Sequence, residues 1–164
     1  MSVTFNAFEI LEMAEQIERN GVKFYRRAAK DISDKSVCQV LLDLAEMEVR
    51  HEETFAHMKK QLSDEARELR AFDPENEIVL YLQAMAGGHV FNLNEDMSQQ
   101  LKGNESTEEI LKLAINAEKD SIVFYLGLRD FAPVKVGKDK VEAIIKEEMS
   151  HITLLNQRLS AVKI

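Results

Sequence analysis

Glu48-Val49-Arg50-His51 and Glu148-Met149-Ser150-His151 are one Glu-x-x-His unit written twice, 100 residues apart, and a single glutamate, Glu18 and then Glu118, stands thirty residues before each copy. Residues three apart lie on one face of a helix, so each unit projects its carboxylate and its imidazole in the same direction. The surrounding residues give that direction. Leu11, Ala14, Glu18, Gly21, Tyr25 and Ala28 form a stripe at 3-4 spacing, and Val37, Leu41, Leu44, Glu48, His51, Phe55, Met58 and Leu62 form a second. Leu111, Ala114, Glu118, Ser121, Tyr125 and Leu128 repeat the first; Val141, Ile144, Glu148, His151 and Leu155 repeat the second. Six polar side chains therefore sit inside four otherwise apolar seams, near the middle of four helices.

Position n against n+100 extends the repeat. From 9 to 25, seven of seventeen positions agree without a gap: Glu9/Glu109, Ile10/Ile110, Leu11/Leu111, Ala14/Ala114, Glu18/Glu118, Phe24/Phe124 and Tyr25/Tyr125. Two equivalent helical hairpins follow. Asn6-x-x-Glu9 and Ser106-x-x-Glu109 both read as capping boxes, which starts helices near 7 and 107. The first helix runs to about Lys30, where residues 31–34 turn the chain, and the second to about Leu62; the third ends near Asp130 before Pro133, and the fourth fills about 138–161. At about 24 to 28 residues each is roughly 36 to 42 Å long.

The stretch from Ser63 to Gly103 differs in character. Asp73-Pro74 starts a short segment with Ile78, Tyr81, Leu82 and Met85 on one face, and Gly87-Gly88 ends it. Short, long and short links between four long helices predict an all-α four-helix bundle with one crossover. The 164 residues then divide into a hairpin at 7–62, a crossover at 63–104 containing a short extra helix, and a hairpin at 107–162, all in a single domain.

Composition agrees. With 45% hydrophobic and 30% charged residues, six Gly and two Pro, the chain suits helices nearly throughout. The net charge of -8, with Lys and Arg interleaved among Asp and Glu, excludes a nucleic-acid surface. Cys38 is the single cysteine, so these residues hold neither an intrachain disulfide nor a Cys-x-x-Cys site. No segment has the length of a membrane span or the build of a signal peptide, and a cytoplasmic location with no membrane partner is expected.

An ionised carboxylate in a dry core costs several kcal/mol, so four glutamates and two imidazoles there require compensation. Two divalent ions balance four carboxylates, whereas one ion leaves net charge buried. The mixed oxygen and nitrogen set is unlike the all-oxygen ligation of calcium or magnesium, and lacks the cysteine of structural zinc sites. Iron fits first, manganese next, and zinc remains compatible. One Glu-x-x-His is common on helices; a duplicated set in core register is not.

With these residues the chain resembles the ferritin-like di-iron carboxylate proteins, which carry one Glu on each of two helices and Glu-x-x-His on each of the other two. Within that group it is similar to the rubrerythrin-related domains, in which the first-helix ligand precedes the second aromatic of a pair by seven residues, here Glu18 to Tyr25 and Glu118 to Tyr125. The resemblance covers nearly the whole chain apart from the crossover. It implies a ferritin-like bundle and a dinuclear iron cofactor held by Glu18, Glu48, His51, Glu118, Glu148 and His151, with Glu48 and Glu148 as bridging carboxylates. Rubrerythrins proper add a glutamate one turn beyond the third-helix ligand and a cysteine-paired rubredoxin domain; here Ser121 follows that turn and Cys38 stands alone, so electrons come from a separate donor protein.

Three functions fit: an oxidoreductase acting on O2 or hydrogen peroxide, an iron-handling protein of ferroxidase type, and a metal-stabilised structural or sensing bundle. The long apolar-faced helices and the stretch from Ile78 to Met85 suggest a homodimer. Other residues read as structure. Tyr25 and Tyr125 are core packing with satisfied hydroxyls, His57 and His89 surface or loop positions, and Cys38 a small residue in the first turns of its helix. Met13, Met47, Met58, Met85 and Met149 fill the core; Glu46, Glu52, Glu53 and Glu147 lie on solvated faces, where one of them can support a ligand.

Overall fold

Capping chemistry sets where the helices begin. The Asn6 side chain accepts the Glu9 amide and the Glu9 carboxylate accepts the Asn6 amide, both at 2.9 Å, opening α1 at Ala7–Asp31. Ser106 and Glu109 repeat the exchange at 2.7 and 3.1 Å ahead of α4, Thr107–Phe131. Asp34 accepts the amides of Ser36 and Val37 and starts α2, Lys35–Lys60. Before α5, Lys138–Val162, the chain turns at Gly137 with φ of +112°, a conformation that favours glycine. The crossover contributes α3, Glu77–Gly88, and a 3-10 turn, Met97–Gln100.

This computed structural model describes residues 6–62, 77–88, 97–131 and 137–162. Asp73-Pro74, Pro133, His89 and most of both links flanking α3 lie outside the described residues. The second helix ends at Lys60, two residues short of the position expected from the apolar stripe, because the Leu62 amide bonds to the Lys59 carbonyl at 3.3 Å in place of an α-helical bond. Leu62 is nonetheless buried. Among the described residues no helix is long and apolar enough to cross a membrane.

α1 packs along α2 and α4 along α5, and the hairpins meet through α1 against α4 and α2 against α5. α3 lies on α4, and the 3-10 turn lies on α1. Two apolar clusters fill the bundle. One joins the start of α1 to the end of α2, the end of α4 and the start of α5, through Ile10, Phe55, Phe124 and Ile144. The other joins the opposite halves through Phe24, Leu41, Ile110 and Leu155. This exchange of ends makes α1 antiparallel to both α2 and α4.

Each buried aliphatic or aromatic side chain contributes about 1.5 to 3 kcal/mol, so the two clusters supply the driving force that fixes what lies between them. Between them lies a polar layer: Glu18, Glu48, His51, Glu118, Glu148 and His151, none more than 4% exposed. All four stripes read from the sequence point inward. Met149 departs from its expected place: it is 52% exposed, because the residue after Glu148 lies on the opposite face of α5. Met58 is fully buried, and Met13, Met47 and Met85 pack partly buried against the clusters.

Candidate metal centre

Each of the four long helices delivers its polar residues to the same level. The Nδ1 atom of His51 faces three carboxylates, 3.5 Å from Glu18 Oε2, 3.7 Å from Glu48 Oε2 and 3.2 Å from Glu148 Oε1. His151 Nδ1 faces three in the same manner, 3.4 Å from Glu48 Oε1, 3.4 Å from Glu118 Oε1 and 2.9 Å from Glu148 Oε2. Glu48 and Glu148 thus each present one oxygen to each imidazole, while Glu18 and Glu118 serve one side apiece. The two rings lie nearly parallel with centroids 5.7 Å apart. All six residues singled out in the sequence come together here.

Tyr25 and Tyr125 complete the symmetry. The Tyr25 hydroxyl donates to Glu118 Oε1 and the Tyr125 hydroxyl to Glu18 Oε1, each crossing from one hairpin to the other. Both rings are buried as the sequence suggests, and the partner that satisfies each hydroxyl is a carboxylate of the cluster. Burial, then the nearby carboxylates, pushes both phenols well above their ordinary value, so they stay hydrogen-bond donors.

The environment divides the carboxylates into two kinds. Burial raises Glu18 and Glu118 well above the carboxylate range, reinforced by the charges of Glu48 and Glu148. Burial acts on Glu48 and Glu148 in the same sense, but a hydrogen bond with Glu18 and then contacts with both histidines at Glu48, and the two histidines and then Glu118 at Glu148, outweigh it and hold both below that range. For the imidazoles burial opposes the charge, yet three carboxylates around each prevail, raising His51 far above its usual value and His151 to about 12. Without metal, these surroundings favour the protonated forms of Glu18, Glu118 and both imidazoles and the ionised forms of Glu48 and Glu148.

Several of these atoms are buried without a hydrogen-bond partner among the described residues: Glu18 Oε2, Glu48 Oε1, His51 Nδ1, both oxygens of Glu148, and Nδ1 and Nε2 of His151. Buried polar atoms are ordinarily satisfied, and oxygen and nitrogen atoms that converge without partners are what a cation requires once it displaces their protons. Donor atoms of Glu18, Glu48, His51 and Glu148 lie within 4.8 Å of one another, as do those of Glu48, Glu118, Glu148 and His151. Two donors on opposite sides of an ion with bonds of about 2.0 to 2.2 Å stand about 4.4 Å apart, so each set can close on one ion. The cluster fits a dinuclear metal site.

Other residues fall around this centre. Ser121 is buried, but its hydroxyl donates to the Ala117 carbonyl at 3.2 Å. Its counterpart Gly21 leaves room for Glu48; a Cβ there would meet Glu48 Cγ at 3.3 Å. Gly21, Tyr25, Glu48, Glu118 and Ser121 line a cavity of about 10 Å³, room for one water-sized molecule. His57 is exposed on α2, away from the cluster. Cys38 is partly buried with its thiol toward the Ala29 carbonyl. One residue read as a solvated surface position, Glu147, reaches His51 Nε2 at 2.9 Å; the only signal for it in the sequence was its place beside Glu148.

Known proteins extend these observations. No functionally curated protein matches the chain. A crystal structure of a protein from Thermotoga maritima, described as a ferritin-like diiron-carboxylate protein, superposes with a TM-score of 0.75 at 26% identity, covering 98% of each chain. The fold is therefore the ferritin-like helical bundle. The sequence model of the rubrerythrin family matches residues 9–104, a stretch that includes Glu18, Tyr25, Glu48 and His51, and this chain belongs to that family.

Proposed function

We propose that this protein is a non-haem di-iron carboxylate oxidoreductase that reduces O2 or hydrogen peroxide with electrons from a separate donor protein. The observation that carries the reading is the pair of overlapping donor sets sharing Glu48 and Glu148, with a water-sized cavity against one of them. In this reading Glu18 and His51 would hold one ion and Glu118 and His151 the other, with Glu48 and Glu148 available to both. Two iron ions so held supply two electrons together, the number needed to reduce O2 to peroxide or peroxide to water.

The chain's own groups set the conditions. The apolar clusters on both sides exclude bulk water and strengthen every electrostatic contact in the layer. Tyr25 and Tyr125 fix the rotamers of Glu118 and Glu18 from the opposite hairpin. Glu48 lines the cavity, so a molecule there touches a bridging carboxylate on one side and Glu118 on the other. Room for a water-sized molecule against these carboxylates favours turnover over a bundle whose metals only stabilise the fold. A homodimer in the cytoplasm is the setting we propose.

Anaerobic loading with Fe(II), metal counting and stopped-flow mixing with O2 or H2O2 test the reading. Two irons per chain and repeated turnover with a reductant are the expected result. A single stoichiometric oxidation supports iron handling instead. Binding of at most one metal, unchanged in Glu48→Ala, overturns the assignment of the site.

A further inference from the structure

The 100-residue repeat is broken at one position that touches the centre. His51 and His151 both aim Nδ1 at the carboxylates, so support for each ring comes through Nε2. His51 Nε2 lies 2.9 Å from Glu147 Oε2. A carboxylate only accepts, so Nε2–H donates, and Nδ1 is the nitrogen that faces the cluster and can bind an ion in place of its own proton. Glu147 sits immediately before Glu148, and the residue that corresponds to it under the repeat, immediately before Glu48, is Met47. A thioether is at best a weak acceptor. His151 Nε2 is buried with no hydrogen-bond partner among the described residues.

A second asymmetry points the same way. The cavity of about 10 Å³ borders Glu118 and Glu48 and touches none of Glu18, His51, Glu148 and His151. Of Glu18 and Glu118, only the one that shares a donor set with the unsupported imidazole has room beside it.

Resting on the dinuclear reading of the site, the geometry points to two unequal ion positions. The position of Glu18 and His51 is the tight one, because Glu147 orients the His51 ring and raises its basicity as a ligand; the position of Glu118 and His151, beside the cavity, binds more weakly and exchanges. Glu147 is a positioning residue: its carboxylate is half exposed and acts through His51, not on a reacting atom. Removing a partner of this kind lowers metal affinity by about 10 to 100-fold in other sites.

Co(II) titration of the metal-free protein without oxygen, followed by calorimetry and visible absorption, tests this without any turnover. The wild type is expected to fill in two steps of unequal affinity. Glu147→Ala is expected to weaken the tighter step by about 10 to 100-fold and leave the weaker one in place. Glu147→Gln, which keeps an acceptor, weakens it less. Glu142→Ala, an exposed carboxylate on the same helix, leaves both steps unchanged. Because Glu147 is on the surface, unchanged helical circular dichroism checks that the variants fold. Two equal steps in the wild type, a tight step indifferent to Glu147→Ala, or an effect on the weaker step alone overturns the inference while leaving a two-metal site intact. A wild type that takes up fewer than two ions removes the dinuclear reading, and this inference with it.

Discussion

The hydroxyl of Tyr125 decides how Glu18 sits, and the hydroxyl of Tyr25 decides it for Glu118. Each carboxylate is buried and has few other donors, so the phenol is the group that fixes its rotamer before any metal arrives. Tyr125→Phe keeps the ring and its packing against Phe55 and Phe124 but leaves Glu18 Oε1 without that donor. The expected loss is about 1 to 3 kcal/mol in the metal-free protein, the cost of a buried acceptor left unmade. Urea unfolding with an unchanged slope measures it; a change below about 0.3 kcal/mol would show that Glu18 finds another partner. Tyr25→Phe should behave alike at Glu118. The sequence places each tyrosine two turns beyond a glutamate of its own helix, which conceals the partner: the hydroxyl goes to the other hairpin, and sequence spacing within one helix carries no information about that crossing. The six cluster residues were legible because each interrupts an apolar stripe; Glu147 interrupts nothing, and its partner lies across the bundle on α2.

At the level of elements, the four long helices could be read from caps and periodicity because those signals are local. The docking of α3 could not. Ile78, Tyr81, Leu82 and Met85 were placed on one face, and the structure buries Leu82 fully and Met85 partly, but Tyr81 is 36% exposed at the edge, where its hydroxyl donates to the Val123 carbonyl at 2.6 Å. What admits the Tyr81 ring is Gly127 on α4: a Cβ there would stand 2.6 Å from Tyr81 Cε1 and 3.0 Å from Leu82 Cδ2. The corresponding residue of α1 is Arg27, half exposed and paired with Asp31, so the repeat gives no hint of a docking site. Gly127→Ala gains about 1 kcal/mol of helix propensity. Overpacking a close contact costs about 1 to 3 kcal/mol, which outweighs it. Amide exchange of residues 80–88 is expected to speed up in this variant while α1 keeps its protection. Unaltered exchange there would mean that the ring moves aside without cost.

For the whole molecule the cluster couples fold stability to pH, and the sign depends on whether metal is bound. In the metal-free protein Glu18 and Glu118 are raised above 4.5, and His51 and His151 above 6.5, so as pH rises past those values the folded chain keeps protons that the unfolded chain gives up. A state that binds more protons loses stability as pH rises. The stabilisation is full below the unfolded values and disappears as pH rises through the folded ones, which for His151 reaches about 12. Glu48 and Glu148 act in the opposite window, stabilising above 4.5 and losing that contribution as pH falls through their lowered values. Metal-free stability therefore peaks in the region of pH 4 to 5, roughly where the two windows meet. Two divalent ions take the place of those protons. The loaded fold then holds none of them, and below about 6.5 it is the unfolded chain that binds protons. Its stability rises with pH up to that point and levels off. Each proton of difference changes the slope by about 1.4 kcal/mol per pH unit, enough to separate the two forms clearly. Thermal melts from pH 5 to 8.5 are expected to fall for protein kept in chelator and to rise, then flatten, for protein loaded with Mn(II). Loading at pH 6 should release protons, read by calorimetry in buffers of different ionisation enthalpy. Parallel melting curves for the two forms would mean that the buried cluster does not exchange protons for metal.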